Sequence, residues 1–326
     1  MSRVRTALTG PFPRSEAIVA ATRDLDRGRT TPEAVEELFR RGESEVDALE
    51  ARLGLDVRSG GYLRWADLFR PFAETWGGFT VGPITRYFET NTFYRQPILH
   101  SPPVRTPGAI AKRLPARSES DLSNAKVTLP GPYTFSGMLD NRSGETREAL
   151  THRLGRLLSE EVRDLYGAGY RTFQFQEPLL VVDPPQGPLA EAAVASYRSI
   201  SQAAKESTTI VWTYFADARP AFPLLDRLPV TVVGVDLAET EPSELPVPSS
   251  PRAIGFGCID PRTTLLETPD DVVRIVRDAF DRFDPPALWL GPGAPLDLLP
   301  YRAATRKLEL LPAVRQRLDG EGRKGP

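Results

Sequence analysis

Apolar residues run along this chain in short continuous stretches separated by amphipathic ones, the rhythm of strands alternating with helices. Arg3–Thr9 (RVRTALT) reads as the first strand, stopped by Gly10-Pro11. Thr31-Pro32-Glu33 supplies an N-cap with Pro at the first helical position, and the helix runs to about Leu53 before Gly54 ends it. Leu55–Tyr62 reads as a weaker strand closing at the Gly60-Gly61 pair. A polar, Pro-rich excursion at about 100–124 precedes the strand Lys126–Leu129, which Pro130-Gly131-Pro132 stops. A helix over Thr146–Ala168, ended by Gly169, the strand Arg171–Phe175, a helix over Ala190–Lys205 and the strand Thr209–Phe215 follow. Then come a short helix at Pro220–Leu228 and the strands Thr231–Leu237 and Ala253–Cys258. A helix over Asp270–Phe283, the strand Ala287–Leu290 and a helix over Tyr301–Leu318 finish the pattern, and residues 319–326 are expected to be a disordered tail.

Several of these strands (TIVW, TVVGV, AIGF, ALWL) are continuously apolar, as strands covered on both faces must be. About eight such units in one chain predict a single α/β domain over 1–318, a closed (β/α)8 TIM-type barrel, rather than an open doubly wound sheet. No GxGxxG follows the first strand and no GxxxxGK[ST] occurs, so dinucleotide and P-loop readings lack a motif.

Composition narrows the function classes. Among 326 residues, 41 Lys+Arg against 43 Asp+Glu leave no basic excess to drive nucleic-acid or membrane binding. One Cys and two His exclude a disulfide framework and a Cys/His-rich metal site, and they leave no Ser/His/Asp set to assemble. The polar start MSRVRTALTGPFPR carries no secretory signal, so a cytoplasmic location is expected.

In a barrel of this type chemistry gathers at the carboxyl ends of the strands. Those ends carry Gly10–Arg14, Gly61, Gly131-Pro132-Tyr133-Thr134, Gln176-Glu177-Pro178, Thr213-Tyr214-Phe215, Asp236, Cys258-Ile259-Asp260 and Gly291-Pro292-Gly293. Small residues with intermittent polar groups suit a floor that a flat ligand approaches closely, although any one of these glycines and prolines could be turn punctuation.

The run ITRYFETNTFY (Ile84–Tyr94) resembles a segment of the cobalamin-independent methionine synthase family, in particular the amino-terminal of its two homologous barrels. The resemblance continues through GPFPR, LPGPYTF, QFQEPLLVVD, TYFADARPAFPLLDRLPV, GFGCIDPR and LWLGPGAPLDLLP, nearly the whole chain in order. GPxT and QEP are shared with a wider superfamily that includes uroporphyrinogen decarboxylase. The resemblance implies a methyltransferase setting, in which 5-methyltetrahydrofolate with a polyglutamate tail is methyl donor and homocysteine the acceptor.

Departures from the family bear on the role. The positions matching its zinc ligands are Trp212, Tyr214, Asp236 and Ala294, of which only Asp236 could hold a metal. No metal and no bound cofactor are therefore expected on this chain, and a homocysteine thiol with pKa near ~8.5 would stay mostly protonated without zinc. Tyr62 replaces a Glu that holds the substrate amino group. The resemblance thus implies a folate-binding, zinc-less component that works with a separate zinc-bearing barrel and does not activate homocysteine alone.

By that resemblance Arg86 replaces a Lys that meets the acidic folate tail, and a guanidinium keeps the chemistry. Arg14 could serve the same tail. Glu89, Asn91, Thr134, Gln176, Glu177 and Tyr214 complete the candidate ligand set, with Glu177 the best catalytic candidate; a buried Glu holding strand-end backbone is its competing reading. Asp67 reads as a structural cap, Trp212 and Trp289 as core, and Cys258 as an inert packed thiol. Phe79, Tyr87, Phe88, Phe93 and Tyr94 are candidates for an apolar mouth that meets the partner. Two rival readings are a purely structural partner of the catalytic barrel, and an independent methyltransferase or pterin- or tetrapyrrole-acting enzyme using Glu177 or Asp260 as acid/base.

Overall fold

The computed structural model describes residues 3–321. Ten strands occur in chain order: β1 (Arg3–Thr6), β2 (Gly77–Arg86), β3 (Phe93–Val104), β4 (Lys126–Pro130), β5 (Asp140–Asn141), β6 (Thr172–Gln176), β7 (Thr208–Trp212), β8 (Val232–Asp236), β9 (Ala253–Ile259) and β10 (Ala287–Pro292). Seven form one sheet in the order β1-β10-β9-β8-β7-β6-β4, every neighbouring pair parallel. Helices connect the later strands, and β4, β6 and β8 are buried at every position; β8 reads as the apolar run VVGV, whereas β4 and β6 bury Lys126, Thr128, Gln174 and Gln176.

The expected eight-stranded ring is only partly realised. The sheet is a parallel half-barrel of seven strands, and among the described residues no eighth regular strand joins it. Residues 55–62, predicted as that strand, instead span the opening between β1 and β4 with one isolated bridge, Arg58 to Ala125. Asp56 N–H donates to Thr6 O at 3.0 Å on one side, and Arg58 N–H donates to Asn124 O at 2.9 Å on the other. The segment cannot extend further because Gly60, Gly61 and Tyr62 have φ of 70°, 80° and 56°, three left-handed residues in succession.

Several elements escape the sequence pattern. A helix at Glu16–Asp26 is capped by Ser15, which accepts from Ile18 N–H. β2 and β3 form an antiparallel hairpin that β5 joins in a second, three-stranded sheet. Its prolines hide it: Pro83 sits at a register shift between Val81 and Ile84, and β3 contains Pro97, Pro102 and Pro103. The supposed Pro-rich excursion therefore begins inside a strand. The last helix is also two, Tyr301–Leu308 and Leu310–Glu321, because Pro312 cannot donate the hydrogen bond that would join them.

Candidate functional site

The centre of the sheet is filled rather than hollow. Trp212 ends β7 and lays its indole across the interior, where a Cβ at Gly234 or Gly255 would run into the ring and Gly291 abuts it. Its Nε1 donates to Gly293 O at 3.0 Å. Tyr214 is likewise buried, and Ala294 offers no donor. Asp236 accepts from Ala238 N–H at 3.0 Å through Oδ1, its Oδ2 has no partner, and burial pushes it up to about 6 against the pull of Arg262. Among the described residues no group of three or more His, Cys, Asp or Glu is placed to hold a metal. An indole, a phenol, a methyl and one carboxylate do not fit zinc.

Glu177 and Thr134 lie beside this floor in a closed hydrogen-bonded lock. The Glu177 carboxylate accepts from Tyr133 N–H at 3.1 Å, Thr134 N–H at 2.8 Å and Tyr197 Oη at 2.9 Å, and a Cβ on Gly131 would collide with it. Burial pushes Glu177 up to about 7 even though these donors favour its anion. Thr134 Oγ1 in turn accepts from Leu179 N–H. The lock fastens the start of the short helix Pro132–Met138 to the end of β6, and neither residue lines any of the cavities below.

Over the floor folds the turn of the β2–β3 hairpin. Tyr87-Phe88 from that turn meets Tyr214-Phe215 from the end of β7: the two hydroxyls are 3.0 Å apart, and the Phe rings 5.3 Å apart. Within each pair the rings meet edge to face, at 4.8 and 4.6 Å. Phe88 and Phe215 both hold left-handed backbone, φ 52° and 76°, so two strained residues face each other across the mouth. Of the five rings expected at a docking surface, Phe79, Tyr87 and Tyr94 are buried and Phe88 half-buried; Phe93 is 53% exposed. Antiparallel register places it on one face with Ile84, Arg86 and Arg95.

The sequence candidates separate accordingly. Arg86 is 55% exposed and lies 4.0 Å from Glu89. Glu89 and Asn91 line a rim cavity of about 400 Å³ with Phe88, Phe215 and Arg262. Arg14 lies elsewhere, in a cleft of about 680 Å³ walled by Phe12, Trp65 and Tyr301 and edged by Arg23 and Arg302. Its Nε donates to Leu63 O at 2.7 Å, and its guanidinium stands 5.2 Å over the Phe39 ring. Burial and the nearby Arg70 lower its pKa, while Asp67 and Asp297 oppose the shift.

Between cleft and clasp is a chamber of about 40 Å³ to which Gln176 and Tyr214 contribute. Gln176 Nε2 donates to Thr9 O at 2.5 Å, which leaves its buried Oε1 without a partner. Asp67, on the wall, is saturated: Oδ1 accepts from Phe69 and Arg70 N–H and Oδ2 from Arg95 N–H, so it is the expected cap. Asp297, which the sequence reading passes over, lines both chamber and cleft. Burial pushes it up to about 7, its own backbone N–H and Arg14 opposing. The available signal was a lone acid in the apolar run APLDLLP. Also unforeseen is Lys126, whose buried Nζ donates to Leu8 O and to Gln174 Oε1 and which burial lowers to about 7.

Residues 78–276, more than half of the chain, match the sequence model of the family described as "Cobalamin-independent synthase, N-terminal domain". The chain belongs to the cobalamin-independent methionine synthase family. Among relatives in that family, it is 28% identical over 310 residues to a methionine synthase of Sulfurisphaera tokodaii, covering 93% of this chain and 89% of that one. It is 24% identical over 327 residues to a methionine synthase of Pyrococcus abyssi, at 98% and 95% coverage. In fold it is similar to a B12-independent methionine synthase from Shewanella sp. W3-18-1 in complex with selenomethionine, with TM-score 0.77, 17% identity and coverage of 98% and 99%. A methyltransferase from Methanosarcina mazei is a more distant fold neighbour, with TM-score 0.60, 12% identity and coverage of 98% and 95%.

Proposed function

We propose that this chain is a folate-binding, zinc-less component of methionine synthesis that acts beside a separate zinc-bearing barrel. The observation carrying the reading is the cleft of about 680 Å³, in which Arg14, Arg23 and Arg302 edge aromatic walls. Aromatic surface flanked by guanidinium groups suits an aminobenzoyl ring with an acidic glutamate tail, since guanidinium pairs bidentately with carboxylates. The floor supports the second half of the reading. Trp212 and Tyr214 occupy the matching metal positions with bulk, so thiol activation falls to the partner. A non-catalytic structural partner is the second reading, and the aromatic clasp over the mouth favours it.

Titration of the purified chain with 5-methyltetrahydrofolate bearing one and three glutamates separates the two. The folate reading expects affinity to rise with tail length, to fall about tenfold in Arg14→Glu, and methionine to form only when a zinc-bearing homologue is added. Absence of folate binding, alone and in the mixture, would leave the structural reading.

A further inference from the structure

The turn of the β2–β3 hairpin, residues 86–93, is fastened to itself far better than to the barrel it covers. Tyr87 N–H donates to Thr92 O at 2.8 Å, Thr90 Oγ1 to Tyr87 O at 2.6 Å and Thr92 N–H to Thr90 Oγ1 at 3.1 Å. Among the described residues, the segment makes one hydrogen bond outside the hairpin, between the Tyr87 and Tyr214 hydroxyls. The rest of its hold is ring contact: Phe88 on Phe215, and Tyr87 against Phe215 and Phe69 at 6.0 and 6.4 Å. Directly behind it the hairpin is anchored, since Tyr94 Oη donates to Met138 O at 2.8 Å and Arg95 N–H to Asp67 Oδ2 at 3.2 Å. The turn thus has an internal frame, a fixed base and a light attachment at its tip. That attachment is made at a cost, because Phe88 and Phe215 meet with both backbones in the left-handed region, where a side chain rarely sits.

The same segment partitions the mouth. Thr92 lines the cleft, the chamber and the rim cavity alike, Tyr87 lines the chamber, and Phe88, Glu89, Thr90 and Asn91 wall the rim cavity. We propose that residues 86–93 are a gate, latched shut by the Tyr87–Tyr214 and Phe88–Phe215 contacts, which swings out as one piece about its base at Tyr94 and Arg95. Opening joins the rim cavity of about 400 Å³ to the cleft of about 680 Å³ across the chamber between them. A ligand that spans both cavities binds only the open form, so its apparent affinity is reduced by the fraction of chains that are open, and weakening the latch tightens it. The gate acts on whatever the mouth takes and stands independently of the folate reading.

Chymotrypsin cuts after an aromatic residue only when that ring can enter its own hydrophobic slot, so cleavage after Tyr87 or Phe88 reads the open gate. The purified full chain is digested at increasing urea, with the cut bonds identified by mass and the rate of global unfolding measured alongside. A gate predicts cutting after Tyr87 or Phe88 at least about a hundredfold faster than cutting through global unfolding, and insensitive to low urea, because opening exposes little surface. Tyr214→Phe and Tyr87→Phe each remove the latch hydrogen bond while keeping both rings, and each should speed this cleavage about tenfold. Cleavage of wild type that appears only at the rate and urea dependence of global unfolding overturns the gate and makes the turn a fixed cap. Cleavage unchanged in both variants, with their unfolding still cooperative, overturns the latch. The wild-type comparison stands even if one variant folds poorly, and the second variant then carries the latch test from the other side of the bond.

Discussion

The floor at the ends of β6 and β7 and the chamber beside it each hold an acid, and the two acids are satisfied to different degrees. At the floor Glu177 takes three donors and Trp212 fills the space three glycines leave, while Asp236 keeps one oxygen without a partner. In the chamber Gln176 Oε1 is buried without a partner, and the half-buried Asp297 has its own backbone N–H as donor. A buried carboxylate is therefore no sign of chemistry by itself. What separates a structural acid from a binding one is whether the chain supplies its donors.

Breaking the floor should have the largest effect. Trp212→Ala would leave a void among Gly234, Gly255 and Gly291 and is expected to destabilise the chain by about 3–5 kcal/mol, read from denaturant unfolding. Small loss, with a partner or metal gained, would show that the floor is a site and not a core. Next is Glu177→Ala, which strands Tyr133 N–H, Thr134 N–H and Tyr197 Oη and should cost roughly 2–3 kcal/mol. Its effect on folate affinity should be slight; a collapse of binding with stability intact would move Glu177 from the lock to the ligand.

Stability against pH sharpens the contrast more finely. Glu177 and Asp297 are raised to about 7, so their protons are held more tightly in the folded chain. The stability linked to them is fully present below the ordinary carboxylate range and is lost as pH rises to about 7. Lys126 is lowered to about 7 from its ordinary value of 10.5, so between these values the unfolded chain binds more protons and stability rises with pH. Together these groups are expected to place a stability minimum near pH 7, and Lys126→Met should flatten the alkaline limb of a melting-temperature profile while leaving the acid limb. The smallest effect is expected on the hairpin face, where Arg86→Ala should change stability by less than about 0.5 kcal/mol.

How much of this was legible depended on which faces of an element are covered. The strands from β7 to β10 show in the sequence because burial on both sides forces continuous apolar runs. The hairpin did not, because a half-exposed antiparallel pair tolerates Gly and Pro at its bulge and loses the usual strand signature. Residues 55–62 misled in the opposite sense: apolar enough for a strand, they are stopped by a left-handed run ending in Tyr62, a residue that rarely adopts it. Arg14 and Arg86 looked like one tail-binding pair, yet one lies in a walled cleft and the other stands out on the hairpin.

The sequence by itself determined the βα order and the family, because these are matters of residue identity and local period. Only the tertiary structure decided which acids are open. Glu177 is satisfied by donors 43, 44 and 20 positions away, and Asp297 answers to Arg14 and Asp67 from the other end of the chain. Hydrogen-bond satisfaction is a property of what folding brings within about 3 Å, and no periodicity along the chain records it.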